Sequence, residues 1–156
     1  MNWENIMQRA TILIVDDEAA NVLLLTRLLR NAGYAKVFST TESTRVQQLC
    51  EELQPDLILL DVHMPHMDGL QLLRRLRADR DSRGAVPVLA NTGDADSATK
   101  LSALMLGARD FLTKPIDCME AMLRIRNLLE MRFLLQTPAR QPMDVLTCAT
   151  DPATCG

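Results

Sequence analysis

With 156 residues, 47% of them hydrophobic and 24% charged, the chain has the size and composition of one folded domain with some length to spare, which excludes two independent domains and a disordered or fibrous polymer. Twenty acids against 17 bases leave a net charge of -3, and aromatics are only 3%. The chain therefore has neither the basic field that attracts nucleic acid or anionic lipid nor the aromatic platforms that stack bases, and no direct nucleic-acid role is expected.

No apolar run approaches the roughly 18–20 residues of a membrane span, and MNWENIMQRA lacks a basic region followed by an apolar secretory core. No membrane association and a cytoplasmic location are the expectation. Cys50, Cys118, Cys148 and Cys155 are scattered without a C-x-x-C pair, so free thiols are expected.

In chain order, residues 1–9 form an N-terminal extension, and TILIV (11–15) is a β-branched run suited to a strand buried on both faces. It ends in Asp16-Asp17-Glu18. A helix follows over 19–32, with Val22, Leu25, Leu28 and Leu29 on one face and Gly33 as its stop. KVFS (36–39) is the second strand, 41–53 the next helix, and DLILL (56–60) the third strand, closed by Asp61. Pro65 and Asp68-Gly69 mark a loop before a basic amphipathic helix over 70–78. VPVLA (86–90) is the fourth strand, followed by a loop carrying Thr92 and Asp94. A helix over 97–106 ends at Gly107, Asp110–Thr113 is a brief fifth strand closed by Lys114-Pro115, and a last helix runs from about Asp117 to Gln136. From 137 to 156, three prolines and no hydrophobic period predict a flexible tail.

This alternation of apolar runs and helical stretches argues for an α/β fold with a parallel sheet. In such sheets ligands sit outside the carboxyl ends of the strands, which is where Asp16, Asp17, Asp61, Thr92 and Lys114 fall. If the first and third strands are neighbours, three carboxylates meet and ask for a compensating hard cation, Mg²⁺. With that charge neutralised, a carboxylate becomes a competent nucleophile toward phosphorus, and Lys114 and the Thr92 hydroxyl are placed to hold phosphoryl oxygens.

The set ILIVDDE, LLDVHMPHMDG, VPVLANTGD and GARDFLTKPID closely resembles the receiver domain of two-component response regulators, over about residues 10–135. The resemblance implies a doubly wound, flavodoxin-like five-stranded parallel sheet of order 2-1-3-4-5 flanked by five helices, with residues 10–136 as the receiver including an extended final helix. It makes Asp61 the phosphoacceptor for a sensor histidine kinase or histidine phosphotransfer protein. It has Asp16 and Asp17 hold Mg²⁺ with Asp61 and the backbone carbonyl of His63, and it pairs Lys114, ahead of a cis bond to Pro115, with the acceptor. Thr92 becomes the switch hydroxyl and Phe111 the aromatic that follows it, although Phe111 lacks a tyrosine's hydroxyl. His63 and Asp94, each two residues past a reacting position, are expected to tune the phosphoryl lifetime.

Other readings are blander. Single aspartates cap helices, and His63 and His66 form an H-x-x-H that Pro65 keeps from being a helical zinc pair. Arg74, Arg75, Arg77 and Arg80 read first as a solvated face and second as a site for an acidic partner. The apolar surplus of the final helix suggests a homodimer or a signalling helix toward a downstream effector or output domain. The phosphorylation chemistry is self-catalysed only, so no turnover enzyme is expected. The alternative is an Mg²⁺-dependent phosphatase of the haloacid dehalogenase type, which would want a second Asp two residues after its nucleophile. Asp16 is instead followed by Asp17 and Glu18. A flavin site lacks its Ser/Thr/Gly-rich phosphate loop.

Overall fold

The computed structural model describes residues 2–64, 69–79, 84–93 and 97–135. Five strands, β1 (Thr11–Val15), β2 (Lys36–Thr40), β3 (Leu57–Asp61), β4 (Val88–Thr92) and β5 (Asp110–Thr113), form one parallel sheet of order β2-β1-β3-β4-β5. The expected strand order is the observed one. The helices are α1 (Trp3–Arg9), α2 (Ala19–Ala32), α3 (Val46–Leu53, entered through a 3₁₀ turn at Ser43–Arg45), α4 (Gly69–Ala78), α5 (Ser97–Leu106) and α6 (Cys118–Leu135).

Alternation along the strands divides the core into two. Ile12 and Ile14, Leu57 and Leu59, Leu89 and Leu112 face α2 and α6, where Leu25, Leu29, Ile125 and Leu129 meet them. Leu13 and Val15, Ile58 and Leu60, Val88 and Ala90 face the other side, where Val46, Leu72, Leu73, Leu76 and Ala103 cover them. Continuous apolar runs such as TILIV are what a sheet buried on both faces requires. Gly33 ends α2 at φ 110°, with its N–H and that of Tyr34 returning to the carbonyls of Arg30 and Leu29.

The N-terminal residues correct the sequence reading. In place of an extension, Trp3–Arg9 is a sixth helix, its first turn capped by the Asn2 side chain, which accepts from the Glu4 N–H at 3.0 Å. Ile6 enters the same core as Phe133 and Leu129, Trp3 meets Tyr34 edge to face at 6.3 Å, and the guanidinium of Arg126 lies 4.7 Å from the Trp3 ring centre. Seven residues give too short a period to be read, and such a helix is held by packing rather than propensity.

The final helix begins one residue later than expected, because Asp117 serves as its cap and accepts from the N–H groups of Met119 and Glu120 at 2.9 and 3.1 Å. Gln136 and the 137–156 segment lie outside the described residues. Near the helix end, Arg132 is buried, its Nε 3.8 Å from Oδ1 of Asp56, whose other oxygen accepts from the Thr11 N–H at 2.9 Å. The fourth strand also sits two residues later than predicted, since Pro87 has no N–H for the ladder and Asn91 and Thr92 do. Cys50 and Cys118 are free thiols, and Cys148 and Cys155 lie outside the described residues. Among the described residues no helix is long and apolar enough to cross a membrane.

If α1 is part of the domain, Ile6→Ala should lower stability by about 2–4 kcal/mol. Leu123→Ala, on the exposed face of α6, should change it by less than about 0.5 kcal/mol. Thermal unfolding of the two variants measures both, and equal midpoints would contradict the packing of α1.

Candidate functional site

The site forms where β1 and β3 lie side by side. Val15 pairs with Leu60, so the residues that follow, Asp16 and Asp61, emerge together at the carboxyl edge. Both are buried, whereas Asp17 is exposed. One carboxylate oxygen from each of Asp16, Asp17 and Asp61 lies within 4.8 Å of the others.

Each buried carboxylate is oriented by its own loop. Asp16 Oδ1 accepts from the Glu18 N–H at 2.9 Å, and Asp61 Oδ1 accepts from the His63 N–H at 2.9 Å. The remaining oxygens face a shared cation. Lys114 Nζ donates to Asp61 Oδ2 at 3.0 Å and stands 3.7 Å from Asp16 Oδ2, a buried atom with no hydrogen-bond partner.

Partial burial of the Lys114 amine works against its charge. The hydrogen bond and field of Asp61, then the fields of Asp16 and Glu18, outweigh that effect and hold its pKa above the ordinary value. One ammonium against three carboxylates leaves the cluster short of positive charge. The donors are all oxygen, which suits a hard dication such as Mg²⁺, and the unbonded Asp16 Oδ2 supplies a free lone pair.

The other predicted residues are close in the fold but differently engaged. Lys114 is anchored by its N–H to the Thr92 carbonyl at 2.8 Å, and the Lys114–Pro115 peptide is cis. Thr92 is the last residue of β4 and is buried, its hydroxyl donating to the Leu112 carbonyl of β5 at 3.4 Å. Phe111 is half-buried on β5 opposite Ala90, against the core beneath α4 and α5. The His63 side chain is exposed. Asp94, His66 and Pro65 lie outside the described residues.

Two contributors escaped the sequence reading. Lys100 of α5 places its ammonium 5.1 Å from the centre of the Phe111 ring, a cation–π contact that no local spacing announces. Gly69 opens α4 so close to the chain beyond Asp61 that a Cβ there would lie 2.4 Å from the Val62 Cα. The Asp-Gly signal was visible, but it read as a turn rather than as a close approach of two backbones.

A family model described as the response regulator receiver domain matches residues 12–126. The chain is 42% identical over 119 residues to a DNA-binding dual master transcriptional regulator, RpaA, of Synechocystis, which covers 76% of this chain and 48% of the relative. It is 38% identical over 126 residues to the response regulator PleD of Caulobacter vibrioides, covering 81% of this chain and 27% of the relative. The chain thus matches half or less of the length of these curated relatives. Among solved structures, a response regulator from Chloroflexus aurantiacus superposes with a TM-score of 0.72 at 32% identity, covering 78% of this chain and 98% of that one.

The raised pKa of Lys114 has a measurable consequence. Whatever stability its pairing contributes is fully present below the ordinary lysine value of 10.5 and is lost as pH rises through the folded pKa. NMR titration of the lysine Nζ should give a midpoint above 10.5 for Lys114. The midpoint should fall in Asp61→Asn, where burial loses its main opponent; a wild-type midpoint at or below the ordinary value would contradict the pairing.

Proposed function

Because this chain belongs to the receiver domain family of two-component response regulators, we propose that it is a phosphorylation-controlled switch in which Asp61 accepts a phosphoryl group from a sensor histidine kinase or a histidine phosphotransfer protein. The observation that carries this reading is the placement of Asp61 itself. It is buried, fixed through one oxygen by the His63 N–H, held through the other by Lys114, and flanked by Asp16 and Asp17.

In the transfer, an Asp61 oxygen forms a bond to phosphorus as the phosphorus–nitrogen bond of the donor phosphohistidine breaks, and the electron pair leaves with the imidazole. Asp16, Asp17, Asp61 and the backbone carbonyl of His63 would hold Mg²⁺, which when bound neutralises charge on the transferring group. Lys114 supplies a fixed positive charge to a phosphoryl oxygen. The loop hydrogen bonds keep Asp16 and Asp61 oriented, so little reorganisation is needed during reaction.

The switch follows from what Thr92 does at present. Turning its hydroxyl toward a phosphoryl oxygen breaks its bond to the Leu112 carbonyl, which loosens β4 from β5 beside Phe111. A change in the Phe111 rotamer then disturbs the Lys100 contact and so α5. Converting a 1:99 mixture of states to 99:1 takes about 5.5 kcal/mol of differential interaction. Two to four charge-assisted hydrogen bonds at roughly 1.5–3 kcal/mol each supply that amount. The face formed by α5, β5 and α6 then presents its changed surface to an effector protein or an output domain.

The last turns of α6 expose Met131, Leu134 and Leu135, which suits a homodimer or a continuing signalling helix. We place the protein in the cytoplasm, where its kinase donor would act. No observation favours the phosphatase alternative.

Incubation with acetyl phosphate and Mg²⁺ should add the mass of one phosphoryl group to the wild type and none to Asp61→Asn. Thr92→Ala should still be phosphorylated but should not undergo the accompanying shift in α5 and β5 amide resonances. An unmodified wild type would refute the reading. Exchange of His63 or of Asp94 for Ala should alter the dephosphorylation rate, and unchanged rates in both would remove them from the site.

A further inference from the structure

The edge of the sheet opposite Asp61 has a built feature that phosphotransfer does not use. Val88 opens β4 and Thr92 closes it, so the two edges are about 13 Å apart along that strand. Between the C-terminal ends of α4 and α5, beside Val88, lies a cleft of about 280 Å³, with Leu73, Val86, Val88 and Leu104 among its apolar walls and the guanidinium residues Arg77 and Arg109 at its sides.

Both arginines are positioned by the fold. The Arg109 N–H donates to the Val88 carbonyl at 2.9 Å, which sets it at the entry to β5. Arg77, in the last turn of α4, donates through Nη1 to the Met105 carbonyl at 3.3 Å, and its stem crosses Gly107. That glycine sits at φ 118°, and a Cβ there would come within 2.6 Å of the Arg77 Cδ, so the residue type and the path of the arginine are matched. The Met105 bond uses one of the five donors of Arg77. Neither arginine is ion-paired with a described carboxylate.

The charge distribution is unusual for a solvated face. Across Gly69–Ala78, α4 carries Arg74, Arg75 and Arg77 and no acid, within a chain whose net charge is -3. Arg74 and Arg77 are three apart, a spacing at which like charges repel. Asp79, just past the helix, stands one turn from Arg75, but no described residue one turn from Arg77 is acidic. The cleft end of α4 therefore carries an excess of positive charge that an acidic partner would complement.

Both guanidiniums are exposed and the cleft is open to solvent, whereas a small ligand is usually enclosed in a larger cavity of about 300–1,000 Å³. Those features fit the side chains of a bound polypeptide. We propose that this cleft docks an acidic, partly aliphatic segment of a partner protein, with a carboxylate between Arg77 and Arg109 and an aliphatic neighbour on Leu73, Val88 and Leu104. Planar guanidinium forks suit carboxylates, and the apolar floor selects against a purely charged segment. The site is separate from the phosphoacceptor and does not depend on its chemistry.

The test is selection of a random dodecapeptide library on the full chain. Enriched peptides should combine Asp or Glu with Leu, Ile or Val, bind Asp61→Asn as well as wild type, weaken with added salt, and lose roughly ten-fold or more in affinity for Arg109→Glu. Arg77→Glu also alters the stem packed on Gly107, so Arg109→Glu, checked for an unchanged melting curve, is the deciding variant. No enrichment, acid-free peptides, or undiminished binding to Arg109→Glu would overturn the proposal. Self-association or oligonucleotide binding that Arg109→Glu abolishes would also overturn it, assigning the arginines to a second copy or to phosphate.

Discussion

The structure turns on one electrostatic constraint, the crowding of Asp16, Asp17 and Asp61 at a sheet edge with Lys114 as the ammonium placed among them. Parallel pairing of β1 with β3 creates it, because equal register delivers the residues after both strands to the same place. The surrounding structure reads as the means of holding that arrangement. Loop amides fix Asp16 and Asp61, the β4–β5 edge fixes Lys114 through the Thr92 carbonyl, and two apolar layers keep the sheet from relaxing. Uncompensated buried charge costs several kcal/mol, so such a cluster persists only where the scaffold is rigid and a cation can be recruited.

Through Lys114 and Thr92 the cluster is joined to β5 and, beyond it, to α5. Thr92 touches β5 through a long hydrogen bond, and Phe111 reaches α5 through the Lys100 ammonium. These contacts are weak by comparison with the two cores. Under the switch proposed above, side-chain contacts of this strength are the ones a local charge change at Asp61 would redistribute.

How much of this was legible in the sequence follows from the range of each interaction. Strand ends announce themselves, because a β-branched run stopping at Asp or Thr changes character abruptly; Asp16, Asp61, Thr92 and Lys114 could therefore be placed on one edge before any coordinates. The α1 helix was not legible. Its stability lies in Trp3 against Tyr34 and Arg126 and in Ile6 beside Phe133, all contacts between residues distant in sequence. Lys100 was missed for the same reason. The start of β4 was misjudged because VPVLA is continuous in hydropathy, whereas hydrogen bonding cannot be continuous through Pro87. For the final helix, the apolar surplus was visible but its destination was not: Leu128, Leu129 and Phe133 are buried in the domain, which leaves Met131, Leu134 and Leu135 exposed.

The buried Arg132–Asp56 pair gives that division a further meaning. An ion pair inside a core seldom improves stability over apolar residues of the same shape, but it ties the elements that carry its partners to one geometry. Asp56 is tied to the start of β1 through the Thr11 N–H, and Arg132 reaches the Ala85 carbonyl ahead of β4. Together with α1, the pair fixes the end of α6 to the amino edge of the sheet. The orientation of α6 up to Leu135 is therefore set by the core and not by the helix alone. The pair of Arg124 with Asp110 at 2.6 Å adds a tie between α6 and the start of β5, so the final helix is held to β5 as well as to β1.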